Sequence, residues 1–213
     1  MKVFTLILLL FPAAFLNAQK LGEMAPERPP EVFPPNSWGA DFMFGEGGFG
    51  LGTFYRRSIS RTMTEFVDFS ISELKDEREV QYTDIFGNTT TPDKVNRAFL
   101  FPVNFGIQYR IFSESIIENF RPYISFGVGP TFILTDPYNR EFFSAFRASQ
   151  IHYAAGGYIG MGADIGLSKT NLIGISFHYL YAHLFGDSIE ELIGSYRNDF
   201  GQLYISLNLG LMY

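Results

Sequence analysis

From Trp38 to Tyr213 large apolar residues recur at every second position, and this period constrains the chain more than any other feature, because alternate side chains of a strand face opposite sides of a sheet. The run from Arg97 to Phe112 is the clearest case. Phe99, Phe101, Val103, Phe105, Ile107, Tyr109 and Ile111 share one phase, and Asn104, Gly106, Gln108 and Arg110 share the other. Downstream, Ile124, Phe126, Val128 and Phe132 alternate with Ser125, Gly127, Gly129 and Thr131, and Ile159, Met161, Ala163 and Ile165 with Gly160, Gly162, Asp164 and Gly166. Ile173, Ile175, Phe177 and Tyr179 alternate with Gly174, Ser176 and His178, and the last run sets Leu203, Ile205, Leu207, Leu209, Leu211 and Tyr213 against Tyr204, Ser206, Asn208 and Gly210.

Glycine tells which face is which. Gly48, Gly50, Gly52, Gly106, Gly127, Gly129, Gly160, Gly162, Gly166, Gly174 and Gly210 all fall in the phase opposite the aromatics, with Gly157 the main exception. A soluble sandwich keeps its bulky residues inside and its polar ones outside. Here the small and polar face suits the crowded interior of a narrow barrel, where glycine permits curvature, and the aromatic face then meets lipid. Open strand edges are not tolerated in hydrocarbon, so the sheet must close. The expected fold class is all-β: a closed, antiparallel, up-and-down transmembrane β-barrel of about eight strands.

Connections support that count. Short ones fall near Ser58 to Arg61, Ser113 to Asn119 and Ser168 to Asn171, and long ones near Asp76 to Asn96, Asp136 to Gln150 and Gly186 to Asn198. Short periplasmic turns alternating with long external loops are the outer-membrane pattern. An even count further requires Trp38 to Phe44 to rise, turn through Gly45 to Gly48 and descend to Arg56, although Gly39 to Tyr55 also reads as one long bent strand. Strands of about 15 residues, tilted about 40°, stand roughly 38 Å tall against an apolar band of about 25 Å, so they overshoot the membrane on the outer side.

The rest of the chain agrees with export. Lys2, the apolar stretch Val3 to Phe11 and the small-residue site Leu16-Asn17-Ala18 read as a signal peptide over residues 1–18, cleaved before Gln19. Its apolar stretch is too short for a spanning helix, which needs about 20 residues. Residues 19–37, with Pro26, Pro29, Pro30, Pro34 and Pro35, read as an extended periplasmic linker, leaving 38–213 for the barrel. The absence of Cys removes disulfide and thiol chemistry, and a net charge of −6 without a basic stripe argues against nucleic acid. Three scattered His offer no metal-ligand spacing, and no cofactor is expected.

The terminal run Ile205-x-Leu207-x-Leu209-x-Leu211-x-Tyr213 resembles the assembly signal of bacterial outer-membrane proteins, and residues 38–213 are similar in pattern to the small eight-stranded barrels of the outer-membrane protein A and X type. The resemblance implies an outer-membrane location, lipid and lipopolysaccharide as neighbours, and reading of the terminal strand by the barrel-insertion machinery.

Candidate residues fall into several groups. Asp41, Arg56, Asp68, Asn104, Gln108, Arg110, Asp164, His178 and Asn208 lie in the interior phase and are expected to form a mutually satisfied polar network, since an eight-stranded barrel is just wide enough for its side chains to fill. Phe142, Phe143 and Phe146 form an apolar cluster in the second long loop and are the candidates for contact with an extracellular ligand. Ser188-x-x-Glu191 has the form of a capping box and predicts a short helical turn over Ile189 to Gly194. Arg56, Arg57 and Arg61 gather at one short turn, where arginines reach toward lipid phosphates. The functional expectation is a non-enzymatic barrel with a filled lumen that acts structurally or through its external loops. Two alternatives stand beside it: a small passive pore, and a lipid-modifying enzyme that would have to draw on His152, His183, Ser149, Ser188, Glu190 and Glu191.

Overall fold

A computed structural model describes residues 33–213 apart from 77, 88, 117–118, 140–148 and 167–169. The export signal, most of the proline-rich linker and Phe142, Phe143 and Phe146 lie outside the described residues.

Eight strands form one closed barrel. They are β1 (Asn36–Gly45), β2 (Gly48–Ser58), β3 (Met63–Leu74), β4 (Asn96–Arg110), β5 (Phe120–Pro137), β6 (Gln150–Gly166), β7 (Asn171–Leu184) and β8 (Asp199–Met212). Each pairs antiparallel with its successor, and β8 closes on β1 in a register that sets Asp41 opposite Asn208 and Phe42 opposite Leu207. Two backbone bonds finish the seam, Tyr213 N–H to Asn36 O at 2.9 Å and Asn36 N–H to Tyr213 O at 3.2 Å. The first hairpin is two strands rather than one bent strand, with Gly45 paired to Gly48 across the turn. Gly48 belongs to that turn and not to the interior: its φ of 116° is left-handed, and a Cβ there would touch nothing. β1 begins at Asn36, two residues ahead of Trp38, because the Ser58 N–H already bonds Pro35 O at 2.7 Å.

Proline explains the main irregularity of the wall. Pro102 lies inside β4 and has no N–H to give, and the ladder breaks beside it on both flanks, between Phe69 and Ser72 on β3 and between Val128 and Thr131 on β5. Gly129 fills the gap, since a Cβ there would lie 1.8 Å from Val103 O.

The two faces differ as the parity demands. Outside, an apolar belt runs round the barrel, with Trp38, Tyr55, Tyr109 and Tyr213 toward the short-turn end and Phe44, Phe49, Tyr153 and Tyr181 toward the long-loop end. Two aromatic girdles flanking an apolar band are what a barrel wall needs where hydrocarbon gives way to headgroups. Inside, the expectation of a small and polar face holds only in part. Large rings also point inward, each lying over glycines of the strands beside it: Phe66 over Gly106 and Gly127, Phe54 over Gly39 and Gly210, and Tyr123 over Gly162. Glycine thus makes hollows along the inner wall, and aromatics of adjacent strands lie across them. The upper third is apolar, with Leu74, Leu100, Ile133, Leu180, Ala182, Leu184 and Phe200 packed together.

The long loops add two short ribbons, Tyr82–Thr83 with Thr89–Thr90 and Ile189–Glu190 with Tyr196–Arg197. The second corrects the helical turn expected over Ile189 to Gly194. Ile189 is buried in the apolar layer, the Glu191 carboxylate turns to Arg197 at 3.5 Å instead of back to the chain, and Gly194 closes a hairpin with φ 76°.

Candidate functional site

The lumen is built in four storeys. At the short-turn end Phe33 packs against Phe54, Leu172 and Met212, with the Arg121 guanidinium 4.2 Å from its ring centroid. Above it Arg56 meets the Asp164 carboxylate at 3.1 and 3.3 Å, flanked by the Phe54 ring at 4.0 Å and the Tyr123 ring at 5.8 Å. Gly174 leaves room for that carboxylate, since a Cβ there would come within 2.4 Å of Asp164 Oδ1.

In the middle, Asn208 donates to Asp41, and Asp68 accepts from Asn104 Nδ2 at 2.9 Å and from the Tyr158 hydroxyl at 2.8 Å. Rings cross the lumen at this level. Phe66 stacks on Tyr158 at 5.8 Å, Tyr158 lies 5.0 Å from His178, and His178 stacks on Tyr204 at 5.3 Å, so the imidazole sits between two phenols. Tyr204 shares a 2.6 Å hydrogen bond with Ser72 and donates to Gln202. A cavity at this level, lined in part by Asp41, Asp68, Gln108, His178 and Asn208, measures about 40 Å³. A water needs about 10–15 Å³ of such volume, so this space suits a few waters and no organic ligand.

Of the nine interior candidates, Asp41, Arg56, Asp68, Asn104, Gln108, Asp164, His178 and Asn208 are gathered in these storeys. Arg110 is not: it sits at the end of β4 and donates to the Ile116 carbonyl at 2.8 Å, capping a short turn. Tyr123, Tyr158 and Tyr204 were not singled out by sequence reasoning, and the signal was present in their phase, which is that of the glycines.

Over the apolar layer lies a cap that joins the first and third long loops. Lys94 bridges Leu192, Val95 N–H bonds Glu191 O at 2.8 Å, Ile193 N–H bonds Asp93 O at 2.9 Å, and Asn96 Nδ2 reaches Glu190 O at 2.8 Å. The side chains of Lys94, Glu79, Asp76 and Glu191 are buried along this join. Lys94 meets Glu79 at 3.0 Å and Glu73 at 3.7 Å; Arg197 meets Glu191 at 3.5 Å and Asp76 at 3.9 Å; the Ser195 hydroxyl donates to Asp76 at 2.5 Å and accepts from Arg78. The second long loop joins through Tyr138, whose N–H bonds Val95 O at 2.9 Å and whose ring lies 4.8 Å from the Arg97 guanidinium. Burial pushes the Glu191 carboxyl up to about 7 despite Arg197, for its Oε1 has no hydrogen-bond partner and Asp76 stands nearby. Asp76 shows the reverse balance. Burial raises it, but the bonds from Ser195 and Arg78 and the charge of Arg197 hold it below the usual carboxylate range.

The residues that a lipid-modifying site would need are dispersed. His152 faces inward and shares a 3.1 Å hydrogen bond with Thr135, whereas His183 faces outward with Asp199 at 2.8 Å, which also accepts from Tyr181. Glu191 belongs to the cap, and Glu190 accepts from the Gly194 N–H at 2.8 Å. Among the described residues, no group of three or more His, Cys, Asp or Glu side chains is arranged to hold a metal ion.

No protein-family model matches the chain, and no curated protein matches it. Solved structures do. The Neisserial surface protein A is 10% identical, with 86% of this chain and 100% of that chain covered and a TM-score of 0.54. The N-terminal β-barrel domain of OprF from Pseudomonas aeruginosa is 14% identical over 83% of this chain and 95% of its own, with a TM-score of 0.44. The attachment invasion locus protein of Yersinia pestis is 13% identical over 82% and 95%, with a TM-score of 0.40. At these identities the likeness is one of fold, and of the three the Neisserial protein supports it.

Proposed function

With the fold of the small eight-stranded outer-membrane barrels as premise, we propose that this chain is a bacterial outer-membrane protein that acts at the cell surface through its external loops, with the barrel as a filled support. The observation that carries this reading is the contrast between the two parts of the molecule. Described side chains occupy the lumen at each level, with a cavity of about 40 Å³ in the middle storey, while the long loops are hydrogen-bonded to one another above it. A rigid scaffold that presents loops is a common arrangement for binding. The apolar belt places the wall in lipid, and the long loops face outward as loop length dictates. Lipid and lipopolysaccharide surround the wall, and the barrel-insertion machinery recognises Ile205, Leu207, Leu209, Leu211 and Tyr213 on the outer face of β8. The Phe142, Phe143 and Phe146 cluster adds to the ligand-facing surface.

Because the chain has no Cys, a single introduced thiol reports topology cleanly. Thr90→Cys in the first-loop ribbon should react with a membrane-impermeant maleimide on intact cells. A thiol that reacts only after the outer membrane is permeabilised would overturn the surface reading.

A further inference from the structure

The cap presents two turns of the same design. In the first loop the ribbon Tyr82–Thr83 with Thr89–Thr90 ends in Asp84-Ile85-Phe86-Gly87, where Asp84 Oδ1 accepts from the Phe86 N–H at 2.8 Å, Asp84 O accepts from the Gly87 N–H at 3.0 Å, and Gly87 takes φ 84°. In the third loop Ile193-Gly194 closes the ribbon Ile189–Glu190 with Tyr196–Arg197, held by Glu190 Oε1 on the Gly194 N–H and by Ser195 N–H on Leu192 O at 2.8 Å. Both turns are fixed by their own hydrogen bonds, and both hold apolar side chains clear of the molecule. Ile85 is 94% exposed, Phe86 83% and Ile193 71%, with Val80, Tyr82 and Tyr196 also exposed nearby in sequence.

Isolated apolar residues on a surface need no explanation, but aromatic and branched residues at the very ends of two defined turns do. Their surroundings narrow the choice of partner. Between Val80 and Pro92 the one ionisable residue besides Tyr82 is Asp84, whose carboxylate is engaged by the turn, and between Leu192 and Tyr196 only Tyr196 can ionise. No Lys or Arg stands on either turn, and the cations beside them are engaged, Arg78 by Asp76 and Ser195, Lys94 by Glu79 and Arg197 by Glu191, which leaves little attraction to anionic lipid or nucleic acid. A stable protein interface takes about 800 Å² per partner, built round a central patch. Two narrow tips of one or two side chains each do not supply that. They do suit entry into the interfacial zone of a bilayer, where aliphatic and phenyl groups leave water and a tyrosine keeps its hydroxyl at headgroup level. The first ribbon is rooted at the long-loop end of the barrel by the bonds of Asp76 and Arg78 with Ser195 and by the Lys94–Leu192 bridge, the end remote from the short turns.

We infer that Ile85 and Phe86, assisted by Ile193, form an apolar wedge that docks the barrel onto a second, zwitterionic bilayer. This inference rests on the surface reading above. The test uses the full-length barrel in nanodiscs and sucrose-loaded vesicles of phosphatidylcholine, with co-sedimentation as the readout. The unmodified protein should sediment with the vesicles, as well in 0.5 M salt as in low salt, and the double variant Ile85→Ser and Phe86→Ser should lose at least about tenfold in vesicle affinity. Heat-modifiable gel migration of that variant shows whether the barrel has stayed folded, and Ile193→Ser provides a milder third variant from an independent turn. Sedimentation that both variants leave intact, or that appears only with anionic vesicles and vanishes in salt, would sink the wedge. If Thr90→Cys is labelled on intact cells and phosphatidylcholine is not bound, the wedge fails and the surface reading stands. If Thr90→Cys is unlabelled, the surface reading fails first.

Discussion

Arg56 is buried among side chains: Asp164 takes its Nη1, the Phe54 ring lies 4.0 Å from the guanidinium and the Tyr123 ring 5.8 Å. Removing one member of such a buried pair leaves an uncompensated charge, at about 3–5 kcal/mol, while replacing both with apolar residues of similar size is close to neutral. Asp164→Ala should therefore destabilise the barrel by that amount and Arg56→Met with Asp164→Leu should recover most of it, as measured by urea unfolding in phospholipid vesicles. Equal losses in the single and double variants would show that the pair holds something beyond its own charges. Glu191 behaves differently because its carboxyl titrates near neutrality. Its pKa in the folded cap is about 7 against an ordinary 4.5, so the folded form holds the proton more tightly, and cap stability falls as pH rises from about 4.5 through 7. Below that window the contribution is constant. Amide exchange of residues 93–96 and 189–197, corrected for intrinsic rate, should show more frequent opening at pH 8 than at pH 5, and Glu191→Gln should flatten the difference.

At the scale of elements, β8 carries the firmest reading. Its outward residues Leu203, Ile205, Leu207, Leu209 and Leu211 are exposed, while Gln202, Tyr204, Ser206 and Asn208 are buried, as period two requires. Leu207 lies near the middle of the strand, opposite Phe42 and Ile175. A lysine at the bilayer midplane is unfavourable by about 2–4 kcal/mol. Leu207→Lys should lower unfolding free energy in phospholipid by that amount, and a matching loss from Leu211→Lys, near the end of the strand, would contradict the depth we assign. Tyr213 joins the seam by its backbone to Asn36, and its ring is exposed on the outer face. Tyr213→Asp should reduce outer-membrane levels without blocking export, read by fractionation. Strands and turns were legible in the sequence because parity and loop length are local signals. The apolar upper layer is only half legible, for Leu180, Leu184 and Phe200 lie toward the long-loop ends of β7 and β8, where apolar residues fall in both phases and alternation no longer tells inside from outside. The cap was not legible, since nothing near Asp76 in the sequence points to Ser195 or Arg197, and such pairings exist only once the barrel has set the two loops side by side.

For the whole molecule the consequence is a barrel without a bore. Phe33 beneath, the rings of Phe66, Tyr158, His178 and Tyr204 across the middle, the apolar layer above them and the buried ion pairs of the cap each obstruct the axis. Planar-bilayer recording of the purified protein should show no large steady conductance, and sustained channels would mean that several of these storeys move together. The seam has a further consequence, for the order of events when the barrel forms. β1 and β8 are the strands furthest apart in the chain, yet each is the other's neighbour, so neither can satisfy its outer backbone groups until all the intervening strands are in place. Pairing that waits on such distant partners is slow, and a strand edge left open in hydrocarbon is costly. Inserted one hairpin at a time and unaided, the chain would carry an open edge into hydrocarbon at every step. Whatever escorts it has to cover the two edges of the growing sheet until β1 and β8 meet.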